Sequence, residues 1–322
     1  MYDAFYGLTG MPFQLTPDSR FFFGSQGHSR AIAHLTYGLA QAEGFIVVTG
    51  EVGAGKTTLV ERLWKQLDRE VYTVSRVNTP QISHDDLFRL VMAGFGLPIA
   101  TADKAALLVQ FEAFLARERA HGRRALLVVD EVQNLSLPAL EELRMLSNIT
   151  EDGRASMQTI LLGQPQFRRV LASPDLDQLR QRVLASYHLG PLGEDETRAY
   201  IEHRLTAVGW SGKPAFRDDA YTEVHRRSDG IPRRINRLCS RVLLYGALEE
   251  SFVITREMVA RTAVELAHDL DGGADTVSDH GGHSANGIDS LRERVEALEV
   301  TVVRRERIFQ RLQDVLGAAS MR

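Results

Sequence analysis

Residues 44–68, GFIVVTGEVGAGKTTLVERLWKQLD, decide the fold. Residues 44–50 are a short apolar, β-branched run, the mark of a buried strand. Residues 57–68 have helical spacing. Between them GEVGAGKT (50–57) matches G-x-x-x-x-G-K-[ST] in the strand-to-helix setting that this pattern requires. Gly50, Gly53 and Gly55 let the backbone curl, so that its N–H groups can turn inward on phosphate oxygens. The new helix adds the positive end of its dipole. Lys56 is then aimed at the β- and γ-phosphates, and the Thr57 hydroxyl at Mg²⁺. The chain has four lysines (Lys56, Lys65, Lys104, Lys213), so one inside this motif is not a product of composition. A Gly-rich turn without a ligand is the plain alternative.

Downstream, RALLVVDE (124–131) reads as a buried strand ending in two acids. Such a strand delivers carboxylates to the carboxyl edge of a parallel sheet, where α/β ligands sit. Asp130 would hold Mg²⁺ and Glu131 would polarise an attacking water; a helix cap would also explain acids here. Gln164 ends the strand MQTILLGQ, where it could sense a γ-phosphate or simply begin a turn before Pro165. LRQRV (179–183) puts Arg180 and Arg182 after the sheet, where one could reach a neighbouring subunit's nucleotide. GIPRRIN (230–236) opens a helix with Arg233 and Arg234 in its first turn, against the helix dipole, so an anion there would relieve the conflict. Asn78 ends the second strand and could hydrogen-bond Glu131 to restrain it. Pro12 and Phe13 could flank a base, or pack on the core.

Strands at 44–50, 71–78, 124–131 and 157–164 alternate with helices at 28–43, 57–68, 84–96, 104–120 and 137–149, which specifies an α/β fold with a parallel sheet. After about residue 190 strand signals stop, and helices are expected at 195–209, 218–230, 232–250 and 255–267. The resulting division is an N-terminal arm (1–30), a P-loop α/β domain (31–190), a small all-helical lid (191–268), a Gly/Ser/Asp-rich linker (269–290) and an amphipathic C-terminal helix (291–322). His280 and His283 read as solvated linker residues. The lone Cys239 lies among leucines and reads as a buried thiol, and it excludes an internal disulfide framework. A net charge of −4 argues against a protein that coats nucleic acid, although Arg226, Arg227, Arg233, Arg234, Arg237 and Arg241 make the lid basic. With no run of 18 apolar residues and no signal peptide, no transmembrane segment is expected, and a cytoplasmic location is the default.

Taken together, the P-loop, the DE strand, the polar strand end, the arginines and the helical part with GIPR resemble the AAA+ ATPases. FYGLTGMPFQLTPDSRFFF, GEVGAGKTT, VVDEVQNL, ELRMLSN, LLGQPQF, LRQRVLASYHLGPL and GIPRRIN are similar to the secretion ATPases of the general-secretion-pathway A (ExeA-like) type, and most to the branch associated with exosortase and PEP-CTERM loci, which also encode exopolysaccharide export. The resemblance spans about residues 1–267. It implies ATP and Mg²⁺ as ligands at Gly50–Thr58, metal coordination through Asp130, catalysis by Glu131, sensor roles for Gln164 and Arg233, and an arginine finger at Arg180 or Arg182. It also implies a homo-oligomer, with envelope export or exosortase-locus proteins as partners, possible contact through the C-terminal helix, and a peripheral place at the inner membrane. The family's membrane span and peptidoglycan-binding part have no counterpart in this sequence. Two rival expectations stand beside an export ATPase: a DNA-binding ATPase of the transposition type, and a docking switch with little turnover.

Overall fold

A computed structural model describes residues 2–16, 18–78, 84–99, 103–151 and 154–271. At its centre is a five-stranded, wholly parallel sheet: β1 (Phe45–Gly50), β2 (Tyr72–Asn78), β3 (Arg124–Asp130), β4 (Met157–Gly163) and β5 (Val183–Leu189), in the order β2-β3-β4-β1-β5. β1 and β4 are buried at every position and β3 at all but its first. A parallel sheet covered on both faces requires such continuous apolar runs.

Successive side chains point to opposite faces. Phe45, Val47, Leu127, Val129 and Leu161 meet the helices His84–Gly94, Lys104–Ala120 and Leu137–Leu146. Ile46, Val48, Leu126, Val128, Ile160 and Leu162 meet the helices Gln26–Gln41 and Lys56–Gln66.

β5 was not legible. VLASYHL mixes small and polar residues because it is an edge strand, and its burial is only partial. Its presence corrects the placement of Arg180 and Arg182: they precede the last strand instead of following the sheet.

Beyond β5 come the helices Glu194–Thr206, Asp218–Ser228, Pro232–Leu248 and Arg256–Asp271. This part is not wholly helical: Ala215–Phe216 and Val253–Ile254 form a short parallel pair. The last helix runs into what reads as linker; the remainder of that linker and the expected C-terminal helix lie outside the described residues.

The N-terminal arm carries a helix at Tyr2–Tyr6 and a 3₁₀ turn at Ser19–Phe21. Tyr2, Tyr6, Leu8, Phe13 and Phe21 enter the core of the helical part beside Ile201, Leu205, Leu238 and Cys239. Phe13 is only 2% exposed. Buried Arg204 fastens the arm: its Nε donates to the Pro12 carbonyl (2.6 Å), its Nη2 to that of Gln14 (3.2 Å), and its guanidinium lies over the Phe21 ring. Pro12 and Phe13 therefore pack and do not flank a base. Burial pushes the Cys239 thiol up, in keeping with an inert core residue.

Candidate nucleotide site

The carboxyl ends of the strands gather the chemistry. β1 ends at Gly50, β4 at Gly163, and β3 at Asp130, which stands in register with Asn78 of β2. The chain then turns sharply at Gly53 (φ +84°) and Gly55 (φ +100°). A Cβ at Gly53 would lie 2.2 Å from Cβ of Arg233, and one at Gly55 2.9 Å from Nε2 of His28. Only glycine meets both the left-handed backbone and the crowding. The Ala54 N–H closes the turn on the Glu51 carbonyl (3.1 Å), while Glu51 and Val52 remain exposed. Gly55 caps the helix Lys56–Gln66 without a side-chain acceptor, so the first-turn N–H groups have no side-chain cap. Thr58 lies in that first turn.

Lys56 is buried, and its ammonium donates to the carbonyls of Gly50 (2.8 Å) and Glu51 (3.1 Å). Burial draws its pKa down, against the pull of Glu131, Asp130 and Glu51. The Thr57 hydroxyl donates to Oδ2 of Asp130 at 2.9 Å. The same oxygen accepts from Nη2 of Arg76 at 3.0 Å, and Oδ1 accepts the Glu131 N–H at 3.0 Å.

Glu131 adopts a left-handed backbone (φ +54°), a strained turn for a residue with a side chain. Oε2 of Glu131 accepts from Nε2 of Gln133 (2.5 Å) and of Gln164 (3.1 Å). Burial pushes this carboxyl up, but those two hydrogen bonds and the Lys56 charge outweigh it and hold it below its ordinary value. Gln164 is fixed in turn: its N–H donates to Oε1 of Gln133, and its Oε1 accepts from Gln166.

Asn78 lies at the same edge but is exposed, and among the described residues no hydrogen bond joins it to Glu131. The restraint expected of it falls to Gln133 and Gln164. Arg233 begins the helix Pro232–Leu248 against the P-loop; its N–H donates to the Gly53 carbonyl at 3.2 Å. Its guanidinium is exposed and no acid pairs with it among the described residues, whereas Arg234 is paired with Asp229.

Arg180 and Arg182 are not part of this constellation. Val183 pairs with Phe45, the first residue of β1, whereas the P-loop follows its last. Five steps of about 3.3 Å separate them by roughly 16 Å along the sheet. Arg180 pairs with Asp177 and Arg182 donates to the Ser147 carbonyl (3.3 Å).

Acids face several arginines of the helical part. Arg226, Arg227 and Arg256 surround the buried carboxylate of Glu223, and Arg241 pairs with Asp269.

Two site residues escaped the sequence reading. Gln133 stood in VVDEVQNL without a role. Arg76 carried the clearer signal: a charge inside a half-buried strand calls for a partner.

The donor set fits the ligands that the motif implies. Thr57 and Asp130 offer adjacent hard oxygens, the partial shell that Mg²⁺ takes when phosphates and waters complete it. No cluster of three or more acids, histidines or cysteines capable of caging a metal occurs among the described residues.

Fold and strand-edge residues define an AAA-type P-loop domain, and residues 39–171 match the model of the AAA domain. Over 277 residues, 85% of this chain, the sequence is 37% identical to General secretion pathway protein A of Aeromonas hydrophila. The chain spans about half the length of that relative, 50%. The fold is also similar to that of Cdc6p from Pyrobaculum aerophilum (TM-score 0.62, 16% identity, 78% of this chain and 71% of that one). The ORC2 protein of Aeropyrum pernix in its ADP form is similar at TM-score 0.57 and 18% identity, over 81% of this chain and 73% of that one. The RuvB Holliday junction branch migration motor of Thermotoga maritima follows at 0.52 and 19%, over 82% and 76%. At these identities the likeness is one of fold. No helix of the described residues is long and apolar enough to cross a membrane.

Proposed function

We propose that this protein hydrolyses ATP with Mg²⁺ and uses the cycle to drive or regulate assembly of an envelope export system. One observation carries the catalytic reading: Lys56, Thr57, Asp130 and Glu131 converge at one strand edge around an N–H-lined turn. Lys56 leaves the Gly50 and Glu51 carbonyls for the β- and γ-phosphates. Thr57 and Asp130 hold the metal, which when bound neutralises phosphate charge. Glu131, ionised at neutral pH, orients the attacking water, and Gln164 contacts the γ-phosphate from the neighbouring strand end. Positioning and fixed charge do most of the work in such a transfer. Arg233 adds a cation from the lid, so nucleotide state is coupled to lid position.

Arg180 and Arg182 lie too far along the sheet to serve their own subunit's phosphates. In the proposed homo-oligomer one of them completes the neighbour's site instead. The division into arm, P-loop domain (31–190), lid (191–268), linker and C-terminal helix belongs to this same reading.

The export role rests on the 37% identity to a secretion pathway protein. Its refinement to the exosortase/PEP-CTERM branch, with exopolysaccharide export and a peripheral inner-membrane location, rests on the motifs alone. The DNA-binding alternative keeps one observation in its favour: Arg226, Arg227 and Arg256 share the single carboxylate of Glu223, which leaves that cluster net positive. The test is a pair of variants: Lys56→Ala loses ATP binding, and Glu131→Gln binds ATP but does not turn it over. Undiminished hydrolysis in both overturns the assignment.

A further inference from the structure

Arg76 stands where a divalent cation would be needed. Its Nη2 lies 3.0 Å from Oδ2 of Asp130, the oxygen that also accepts the Thr57 hydroxyl, and its Nη1 lies 3.2 Å from Oε1 of Glu61. The Arg76 side chain is 26% exposed, that of Asp130 7% and that of Glu61 41%. Nε of Arg76 is buried and makes no hydrogen bond. Arg76 is thus held between two carboxylates, one enclosed and one open to water, with a donor to spare.

A buried carboxylate needs a cation in contact, and Lys56 acts on Asp130 only through its charge, because its ammonium is bonded to the Gly50 and Glu51 carbonyls. A guanidinium meets that need, but it also takes up an oxygen that a metal held by Asp130 would need. Two cations cannot share one oxygen at these distances without strong repulsion, because the enclosed site screens charge poorly.

We propose that Arg76 is a positioning residue that neutralises Asp130 in the nucleotide-free protein, and that it gives up Asp130 and keeps Glu61 when the cation arrives. The inference rests on Asp130 as the metal-holding residue of the proposed ATPase. Glu61 lies on the helix Lys56–Gln66 that the P-loop opens, so the exchange needs only side-chain rotation. The arrangement discriminates against free Mg²⁺. The bare metal must displace Arg76 alone, whereas a metal carried by a triphosphate brings anionic charge that Arg76 tolerates nearby. The metal and the nucleotide therefore enter together.

Mn²⁺ serves as the probe, its binding to the nucleotide-free full chain read by electron paramagnetic resonance. Arg76→Met leaves Asp130 without its guanidinium and tightens Mn²⁺ binding by about tenfold, the scale on which one adjacent charge acts on a carboxylate. Glu61→Gln removes the second resting place and weakens it. Fluorescent ATP analogue titrations with and without Mg²⁺ supply the second readout: the gain in nucleotide affinity on adding Mg²⁺ grows in Arg76→Met and shrinks in Glu61→Gln. Glu61 is open to water, so its neutralisation does not threaten folding. Opposite shifts in the two variants support the proposal. Unchanged Mn²⁺ affinity in both, or a shift in the same direction, overturns it. The Mn²⁺ arm needs no nucleotide, so it reads Arg76 by itself. Failure of the wild type to bind the ATP analogue would strike the ATPase reading instead.

Discussion

Gln164 donates from Nε2 to Oε2 of Glu131 across 3.1 Å, joining the end of one central strand to the acid that follows the next. With Gln133 donating to the same oxygen, the Glu131 carboxylate is held by two amides. The two amides have separable consequences. Gln164→Ala lowers kcat by about 10²-fold with little change in KM, the usual cost of losing one fixed donor at a developing charge. Gln133→Ala loosens Glu131 by one of these two hydrogen bonds, and steady-state phosphate release at saturating ATP rises.

A pH effect follows from the same pair. Both hydrogen bonds hold the Glu131 carboxyl below its ordinary value. Removing Gln133 lets it rise, so the acid limb of the kcat/KM profile moves to higher pH in Gln133→Ala. An unmoved limb would show that Glu131 is not the titrating base.

The arginines at the far end of the sheet call for a mixing experiment. Arg180→Ala or Arg182→Ala keeps an intact nucleotide cradle but lacks the finger; Lys56→Ala keeps the finger but lacks the cradle. The variant of the arginine that acts across subunits and Lys56→Ala are each inactive alone, and their equimolar mixture regains hydrolysis. A mixture as inactive as its parts removes the trans role.

How much of this was open to reading depends on how local the signal is. The P-loop, the buried strands β1, β3 and β4, and the helices of the lid announce themselves because each rests on a periodic pattern or a fixed spacing. Edge strand β5 does not: VLASYHL is partly solvated, and its alternation is broken by Leu184, an apolar residue on the exposed face. Asn78 illustrates the limit at the site. Its register beside Asp130 followed from two strand ends, but whether its amide or Gln133's meets Glu131 depends on a left-handed turn at Glu131 that no spacing encodes. The attachment of the arm through Arg204 is a contact across about 190 residues of sequence, invisible to any local window.

That attachment has a stability consequence. Arg204→Met strips the Pro12 and Gln14 carbonyls of their buried donor and removes a hydrogen bond to the Tyr200 hydroxyl (2.8 Å). The expected loss is about 2–4 kcal/mol from the urea midpoint. The first 25 residues also become accessible to protease; a resistant arm contradicts the anchor.

Acid should unfold the protein through two carboxylates. Glu118, bonded by Arg123 and Thr73, and Glu223, bonded by Arg226 and Arg227, are each held down to about 2. A depressed folded value gives stability that is complete above the unfolded value, about 4.3, and fades as pH falls toward 2. Thermal melts between pH 5 and pH 2 therefore fall steeply in the wild type. In Glu118→Gln the starting stability is lower and the fall is shallower; an identical slope would exclude Glu118 as a source.

The central claim is that Lys56 and the turn before it grip a triphosphate. Calorimetric titration of ATP into the full chain with Mg²⁺ reads it most directly. The account predicts saturable binding of one ATP per chain that requires Mg²⁺ for full affinity and disappears in Lys56→Ala. Equal affinity in wild type and Lys56→Ala, or no heat in the wild type at millimolar ATP, contradicts it.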